Sequence, residues 1–527
     1  MTKTNRVRLS DRIFARFREN RARTPALAAC LGAGLMIAGP WAALAETPQV
    51  GGTLRAAWVG GGAADKLDPT TWLTILELAR ISAVFDRLTK INENGKPELM
   101  LAQAMTPNAD ASVWTVKLRP GVKFHDGSPL TARDVLYSFK SAIGRGYFAA
   151  TNFSMIDLQK SRMVDDLTIE FVLNAPNAEF DRVVSDASAS IIKDGTTDFS
   201  TTAIGTGPYK IVNWVPGVRT ELTRNEAYWG NPVALDKLDM IEIDDDNARI
   251  NALLSGQIDL AVNVPPYFAS QLEGAPGYSV AYGSGSTAPA FYMRQDKPPF
   301  DKAEVRQALR LAIDRKKCVE VALDGRGTVG NDLFGPSHPS YARDIPQREY
   351  DPEAARKLLD KAGIGELQVE LVTAPVVGML ECATVFKESA KKAGIEISIR
   401  QISPADLYNT QSVYLQVPFG TTEWKGVSFQ EMARTGLLQS SFANETANKN
   451  PAFDAAFAKA EAALDPAARN AQFAALQRSL WDDGGYIVWG IQTPVTAFSD
   501  RVGGYEGLAG AEVGFLPSGI GNLWIKH

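Results

Sequence analysis

Residues 368–400 constrain the fold most. Residues 368–373 read as a strand, 380–392 as a helix closed by Gly394, and 395–400 as a second strand. Two strands joined through a helix form a βαβ unit, whose strands are parallel and whose crossover is right-handed. The segment before it continues the pattern. Asp301 opens a helix on which Val305, Ala308, Leu309, Ala312 and Ile313 recur at helical spacing, a stripe wide enough to pack on a sheet. Asp351 caps the next helix, with Pro352 at its first position and Gly363 stopping it. This half of the chain is α/β, an architecture in which ligands bind at the strand ends and adjoining loops.

The first half mixes strands and helices without a repeat. Residues 53–59 read as an opening strand and 73–88 as a helix on which Arg87 marks the end of the apolar face. In 114–119, Trp114, Val116 and Leu118 alternate with Thr115, Lys117 and Arg119, so one face meets a core. Thr131 and Asp134 have capping-box spacing ahead of Val135, Leu136 and Phe139. Ile169, Phe171 and Leu173 form another half-buried strand. Residues 209–214 and 219–224 flank Pro216-Gly217, the turn of a hairpin.

Residues 1–45 read as an export signal. They hold eight Lys and Arg against Asp11 and Glu19, then an uncharged stretch from Pro25 to Leu44 ending in Ala43-Leu44-Ala45. Cleavage after Ala45 is expected. A lipoprotein box ending at Cys30 and a retained membrane anchor are the alternatives. Setting aside eight of the 55 basic and two of the 60 acidic residues leaves 47 against 58, a net charge near −11. That balance disfavours nucleic-acid binding. Cys318 and Cys382 remain on predicted helices, and two separate buried thiols are expected, with a bridge as the alternative.

Short enzyme-like patterns carry little weight. Residues 325–330 spell G-x-G-x-x-G but follow a helix, and a loop is expected there. Ser389 and Lys392 lack the companion motifs of penicillin-recognising enzymes. His125, His338 and His527 are the only histidines, without partners at metal-ligand spacing, and His125 reads as a structural turn residue. The run Asp244-Asp245-Asp246 lacks the glycine and distal Glu of a calcium loop and reads as a solvated strand end. No catalytic residue, metal site or cofactor is assigned.

Longer motifs carry a family resemblance. Residues 118–135, LRPGVKFHDGSPLTARDV, are followed by Gly205-Thr206-Gly207-Pro208-Tyr209, Asn225-Glu226-Ala227-Tyr228-Trp229, Leu254-Ser255-Gly256-Gln257-Ile258-Asp259 and Asn450-Pro451-Ala452-Phe453-Asp454. In this order they resemble the extracellular solute-binding proteins of the oligopeptide, dipeptide and nickel ABC transporter group, the family 5 solute-binding proteins. The resemblance implies an α/β, two-lobed periplasmic binding protein of Venus-flytrap type with hinge strands. Lobe I would take 46–295 and 494–527, with an inserted subdomain near 90–204; lobe II would take 296–493.

The implied function is the periplasmic substrate-binding component of an ABC importer. It would capture a peptide or peptide-like solute between the lobes and deliver it, as a monomer, to the permease subunits. A receptor for an opine or amino-sugar conjugate, or a periplasmic peptide-binding chaperone, are the alternatives. Asn263 matches a family asparagine that contacts ligand backbone, although Val262 replaces an aromatic before it; Phe291 and Tyr292 match the hinge-strand aromatics. Many peptide-binding relatives follow the tryptophan at Trp424 with an Asp for the ligand ammonium group. Here the stretch is Thr421-Thr422-Glu423-Trp424-Lys425-Gly426-Val427-Ser428, so Glu423 is the candidate replacement, and Lys425 would suit an anionic ligand instead.

Overall fold

The computed structural model describes residues 47–526 apart from 61, 73, 93–94, 146, 284–286, 377, 404–405, 409, 427 and 506–519. The expected export signal, its cleavage site and Cys30 lie outside the described residues. Residues 46–527 form one compact unit by contact.

Two large sheets organise this unit. The first has seven strands in the order Tyr278–Tyr282, Val495–Ser499, Leu260–Val262, Thr53–Trp58, Lys237–Glu242, Arg219–Arg224 and Tyr209–Val215. The expected opening strand is central, parallel to Lys237–Glu242 on one side and to Leu260–Val262 on the other. The hairpin turns at Gly217, whose φ of 70° suits a residue without a Cβ. The second sheet has five strands, Ile395–Gln401, Leu367–Thr373, Phe419–Trp424, Ala288–Met293 and Tyr486–Val488.

The chain passes between these sheets twice, from Tyr278–Tyr282 to Ala288–Met293 and back from Tyr486–Val488 to Val495–Ser499. The two passages are bonded to each other: Gly283 N–H donates to the Pro494 carbonyl at 2.9 Å, and Gln492 N–H to that of Thr287 at 2.8 Å.

The βαβ reading matches the observed elements. Leu367–Thr373 and Ile395–Gln401 pair in parallel on either side of the helix Met379–Ala390, and Gly394 sits in the left-handed conformation. The stripe from Val305 to Ile313 is fully buried. Its helix runs Ala303–Ala312, so Asp301 lies before the cap at Lys302. The Asp351 carboxylate accepts from Ala354 N–H at 2.9 Å, as expected of a cap.

A four-stranded antiparallel sheet, Ala102–Pro107, Val113–Leu118, Thr168–Val172 and Arg162–Asp165, carries its own core, in which Phe139 meets Phe153 and Phe171 edge to face. The helix Ala132–Arg145 follows Thr131. Here the Thr131 N–H and hydroxyl both donate to the Asp134 carboxylate, so the acid does the capping.

Several expectations need correction. The helix expected at 73–88 is shorter, Ile75–Val84, opened by a Thr74–Glu77 capping box. It ends because Asp86 is drawn into the core, where it accepts from Trp229 Nε1 at 2.7 Å and the Thr206 hydroxyl at 2.9 Å. Arg87 is buried as well and donates to the Ser185 carbonyl. The G-x-G-x-x-G segment contains the strand Gly327–Val329, paired with Gly490–Gln492, where a loop was expected.

Cys318 and Cys382 form a disulfide, where two separate thiols were expected. The spacing gave no sign of it. The packing of Arg315–Ala322 against Met379–Ala390 brings the two cysteines face to face.

Three of the family-like motifs, 118–135, 205–209 and 225–229, meet around Asp86. The stretch Gly205-Thr206-Gly207 lies so close to the end of the first helix that a Cβ at Gly205 would be 2.0 Å from the Val84 carbonyl oxygen. His125 bridges the same stretch: its Nδ1 accepts from Gly205 N–H, and its Nε2 therefore donates to the Gly207 carbonyl at 3.0 Å. The Asn225 amide donates to that carbonyl too. The motifs serve the scaffold.

Candidate functional site

Ligand groups gather where parallel strands end. In the first sheet, Thr53–Trp58, Lys237–Glu242 and Leu260–Val262 share a carboxyl edge. Asn263 stands immediately after the last of them, half-buried, with φ of 58°, a conformation asparagine tolerates better than most residues. Its carbonyl accepts from the buried Arg249 guanidinium at 3.0 Å.

The neighbouring acids are engaged in the scaffold. Glu242 accepts from Gly62 N–H and Asp244 from Gly60 N–H, Asp245 caps the helix Asp246–Leu254, and Asp246 pairs with Arg249. Burial pushes the Glu242 carboxyl above its ordinary range. Among the described residues no three His, Cys, Asp or Glu side chains gather as a metal site.

In the second sheet, strand pairing sorts the candidates by face. Ala288, Ala290 and Tyr292 lie opposite Trp424, Thr422 and Gly420, and alternate residues share a face. Tyr292 and Trp424 therefore belong to one face. Phe291 is on the other, fully buried, its ring stacked on Phe386 at 5.5 Å within the helix-covered core. Tyr292 fits because its cross-strand partner is glycine: a Cβ at Gly420 would lie 2.6 Å from the tyrosine oxygen. The Glu423 carboxylate is paired with Lys425 at 2.8 Å, and its N–H donates to the Tyr408 hydroxyl at 3.4 Å.

The indole N–H of Trp424 points to a residue that sequence reasoning missed. It donates to the Glu445 carboxylate at 3.3 Å; the Thr422 hydroxyl donates at 2.7 Å and the Tyr486 hydroxyl at 2.8 Å. The Tyr414 hydroxyl is a fourth donor. Burial pushes the Glu445 carboxyl up, and the four donors oppose that shift. Glu445 sits in an irregular turn tied by Asn444, whose side-chain oxygen accepts from Asn448 N–H at 2.9 Å and whose amide donates back to the Asn448 carbonyl at 2.8 Å. Tyr408 is exposed, and its ring meets that of Tyr414 at 5.3 Å, so an aromatic wall leads from solvent to the buried acid.

Two α/β sheets joined by a pair of crossing segments, with polar and aromatic groups at their carboxyl edges, define a protein built to bind a solute. The family model for bacterial extracellular solute-binding proteins, family 5 Middle, matches residues 96–467, and the chain belongs to this family. It is a substrate-binding protein of an ABC importer and not an enzyme.

Among its relatives, Protein XP55 of Streptomyces lividans is 28% identical, over 83% of this chain and 84% of its own. Glutathione-binding protein GsiB of Escherichia coli K12 is 24% identical, over 83% and 89%. The periplasmic binding protein DppA of Helicobacter pylori, solved in complex with the peptide STSA, superposes with a TM-score of 0.78 at 23% identity, over 91% of this chain and 99% of its own. Among the described residues no helix is long and apolar enough to cross a membrane.

Proposed function

We propose that the protein captures a peptide or peptide-like solute in the periplasm and delivers it to a membrane permease. The proposed lobes are 46–295 with 494–527, carrying the inserted subdomain near 90–204, and 296–493, with the strand Ala288–Met293 of the first span pairing into the sheet of the second. The two bonded passages between the sheets act as the hinge. The observation that carries the reading is the aromatic cluster of the second sheet, in which the buried Tyr292 and Trp424 share one face and the exposed Tyr408 meets Tyr414, with Asn263 at the carboxyl edge of the first sheet.

Aromatic faces with hydroxyl and indole handles suit amide-rich solutes, and an asparagine offers both donor and acceptor to a peptide backbone. Asn263, Tyr292, Trp424 and Glu423 are the proposed contacts, with Phe291 supporting Tyr292 from the opposite face. That a relative of this length is named for glutathione, itself peptide-like, favours the same ligand class.

The test is a thermal-shift panel on protein unfolded and refolded to release retained solute. It contains short peptides, glutathione, an opine, an amino sugar and nickel with histidine. A ligand at a hundred times its Kd adds about 2.7 kcal/mol of stability. A shift with the peptides, saturating at one per chain and weakened by Trp424→Ala, is expected. A shift confined to the opine, the amino sugar or nickel would replace the ligand class. Binding of unfolded chains without a length limit would favour a chaperone.

A further inference from the structure

The carboxyl edge of the first sheet is held together by one cation. Arg249 lies in the helix Asp246–Leu254 and is fully buried. One arm of its guanidinium donates to the carbonyls of Ile243 at 2.8 Å and Asp244 at 3.4 Å, just past the strand Lys237–Glu242. The other arm donates to the Asp246 carboxylate and, at 3.0 Å, to the Asn263 carbonyl just past Leu260–Val262. A planar fork with donors on both arms spans two strand ends at once, which the compact ammonium of a lysine cannot do.

The peptide unit between Asn263 and Val264 is thereby fixed at both ends. Arg249 takes its carbonyl, and its N–H donates to the Val495 carbonyl at 2.9 Å. Asn263 stands before this unit in the left-handed region, at φ of 58°, which a residue other than glycine keeps where its surroundings impose it. The turn decides where the side chain goes. Extended, residue 263 would share the face of Ala261, which packs in a core with Ile250, Leu253 and Ala269. The left-handed turn takes it out of that alternation. The Asn263 amide is left half-buried and, among the described residues, without a hydrogen-bond partner.

We infer that Arg249 is a positioning residue for solute capture: by pinning the Asn263 carbonyl it holds the left-handed turn that presents the Asn263 amide at the carboxyl edge. The inference deepens the reading proposed above and rests on Asn263 meeting the solute. Arg249 touches no solute itself. It acts through geometry, because its donors are taken up by main-chain carbonyls and Asp246.

The experiment is a double-mutant cycle read by native mass spectrometry on the whole purified protein after solute release. The unsubstituted protein, Asn263→Gly, Arg249→Lys and the double variant each meet a pool of tripeptides with uncharged side chains. Glycine takes a positive φ without strain, so Asn263→Gly withdraws the amide alone. It should lower retention about fivefold to tenfold, the scale of one polar contact. Arg249→Lys, which keeps the charge and loses the fork, should lower it by a similar factor. The double variant should retain as much as Asn263→Gly, since two residues that act through one contact do not add. A crystal structure of Arg249→Lys should show Asn263 away from its left-handed φ.

A merely structural Arg249 would lower retention by the same factor in both backgrounds, and that result would overturn the inference. So would retention unmoved by Arg249→Lys, or unmoved by Asn263→Gly; either leaves the peptide reading standing. If the unsubstituted protein retains no peptide, the peptide reading falls and the crystal structure decides the inference alone: Asn263 unchanged at its left-handed φ overturns it. Should Arg249→Lys not fold, Asp246→Ala takes its place in both measurements, with the same outcomes, because it removes a half-exposed acid that orients the same arm.

Discussion

Single residues control the wall and the scaffold behind it in ways that stability measurements can read. Gly420 is buried, and a Cβ there would overlap the Tyr292 ring end at 2.6 Å. Gly420→Ala should cost about 1–3 kcal/mol, the range for overpacking a buried site, and lower Tm in a calorimetric scan. His125 makes a pH prediction. Its pKa is lowered to about 4, first by burial and then by Lys210, against the opposing bond to the Gly207 carbonyl and the Asp126 charge. A histidine whose folded pKa is depressed stabilises the fold fully above its ordinary value near 6.5, and that stability is lost as pH falls from there towards 4. His125→Gln should therefore flatten the fall in unfolding free energy between pH 7 and 4.5 by an amount on the order of 2 kcal/mol, measured by urea titration at each pH. His125 was legible as structural because it lies in a long motif. Glu445 was not, because nothing local marks it: it meets Trp424 only through a turn that follows twenty intervening residues, and the donors come from three other segments. Phe291 and Tyr292 were legible as a pair but not as opposites, since strand pairing, and not sequence, decides which face looks away from the helices.

At the scale of elements, periodicity found what local chemistry specifies. The βαβ unit, the hairpin at Gly217, the capped helix Pro352–Lys361 and the buried stripe of Val305, Ala308, Leu309 and Ala312 all follow from spacing and caps. Boundaries moved where tertiary contacts override propensity, as where Asp86 leaves the first helix for its partners on Thr206 and Trp229. The disulfide belongs to this scale too. Cys318 and Cys382 lie on different helices, 64 residues apart in sequence, and only helix packing brings them together. Closing a loop of that length removes unfolded-state entropy worth about 4 kcal/mol in the chain-entropy account. Replacing both cysteines by alanine should lower the unfolding free energy by up to about that amount, read from denaturant midpoints. The same substitutions should abolish any effect of a reductant on Tm. If reductant shifts the substituted and unsubstituted proteins equally, the bridge contributes nothing.

For the whole molecule, contacts between the segment around Glu179 and the helices that follow residue 428 bear on how the proposed lobes close. The Gln430 amide donates to the Glu179 carboxylate at 3.1 Å, and Arg469 approaches the same group at 3.5 Å. The Asn177 amide donates to Glu461, which Arg434 also engages, and Ala178 N–H donates to the Glu461 carbonyl at 2.7 Å. Burial pushes the Glu461 carboxyl up and lowers the pKa of Arg182, which lies 3.7 Å from the Glu179 carboxylate, so these charges are held largely out of water. A second set joins Arg326 to Glu273 at 2.9 Å and to the Tyr282 hydroxyl at 2.6 Å, beside one passage between the sheets, where a hinge motion displaces atoms least. If the lobes part on release, the Glu179 set must break while the Arg326 set persists. Glu179→Ala leaves Gln430 and Arg469 without their acceptor and should shift the population towards the open form. Ligand affinity then falls by the fraction of closed-competent molecules lost. The expected result is a larger radius of gyration in small-angle scattering and about tenfold weaker binding, with binding restored only in part by Glu179→Gln, whose single amide oxygen keeps an acceptor for one of the two partners. An unchanged radius together with unchanged affinity would mean that these bonds fix the inserted subdomain to its neighbour permanently, and that closure turns on the ligand wall alone.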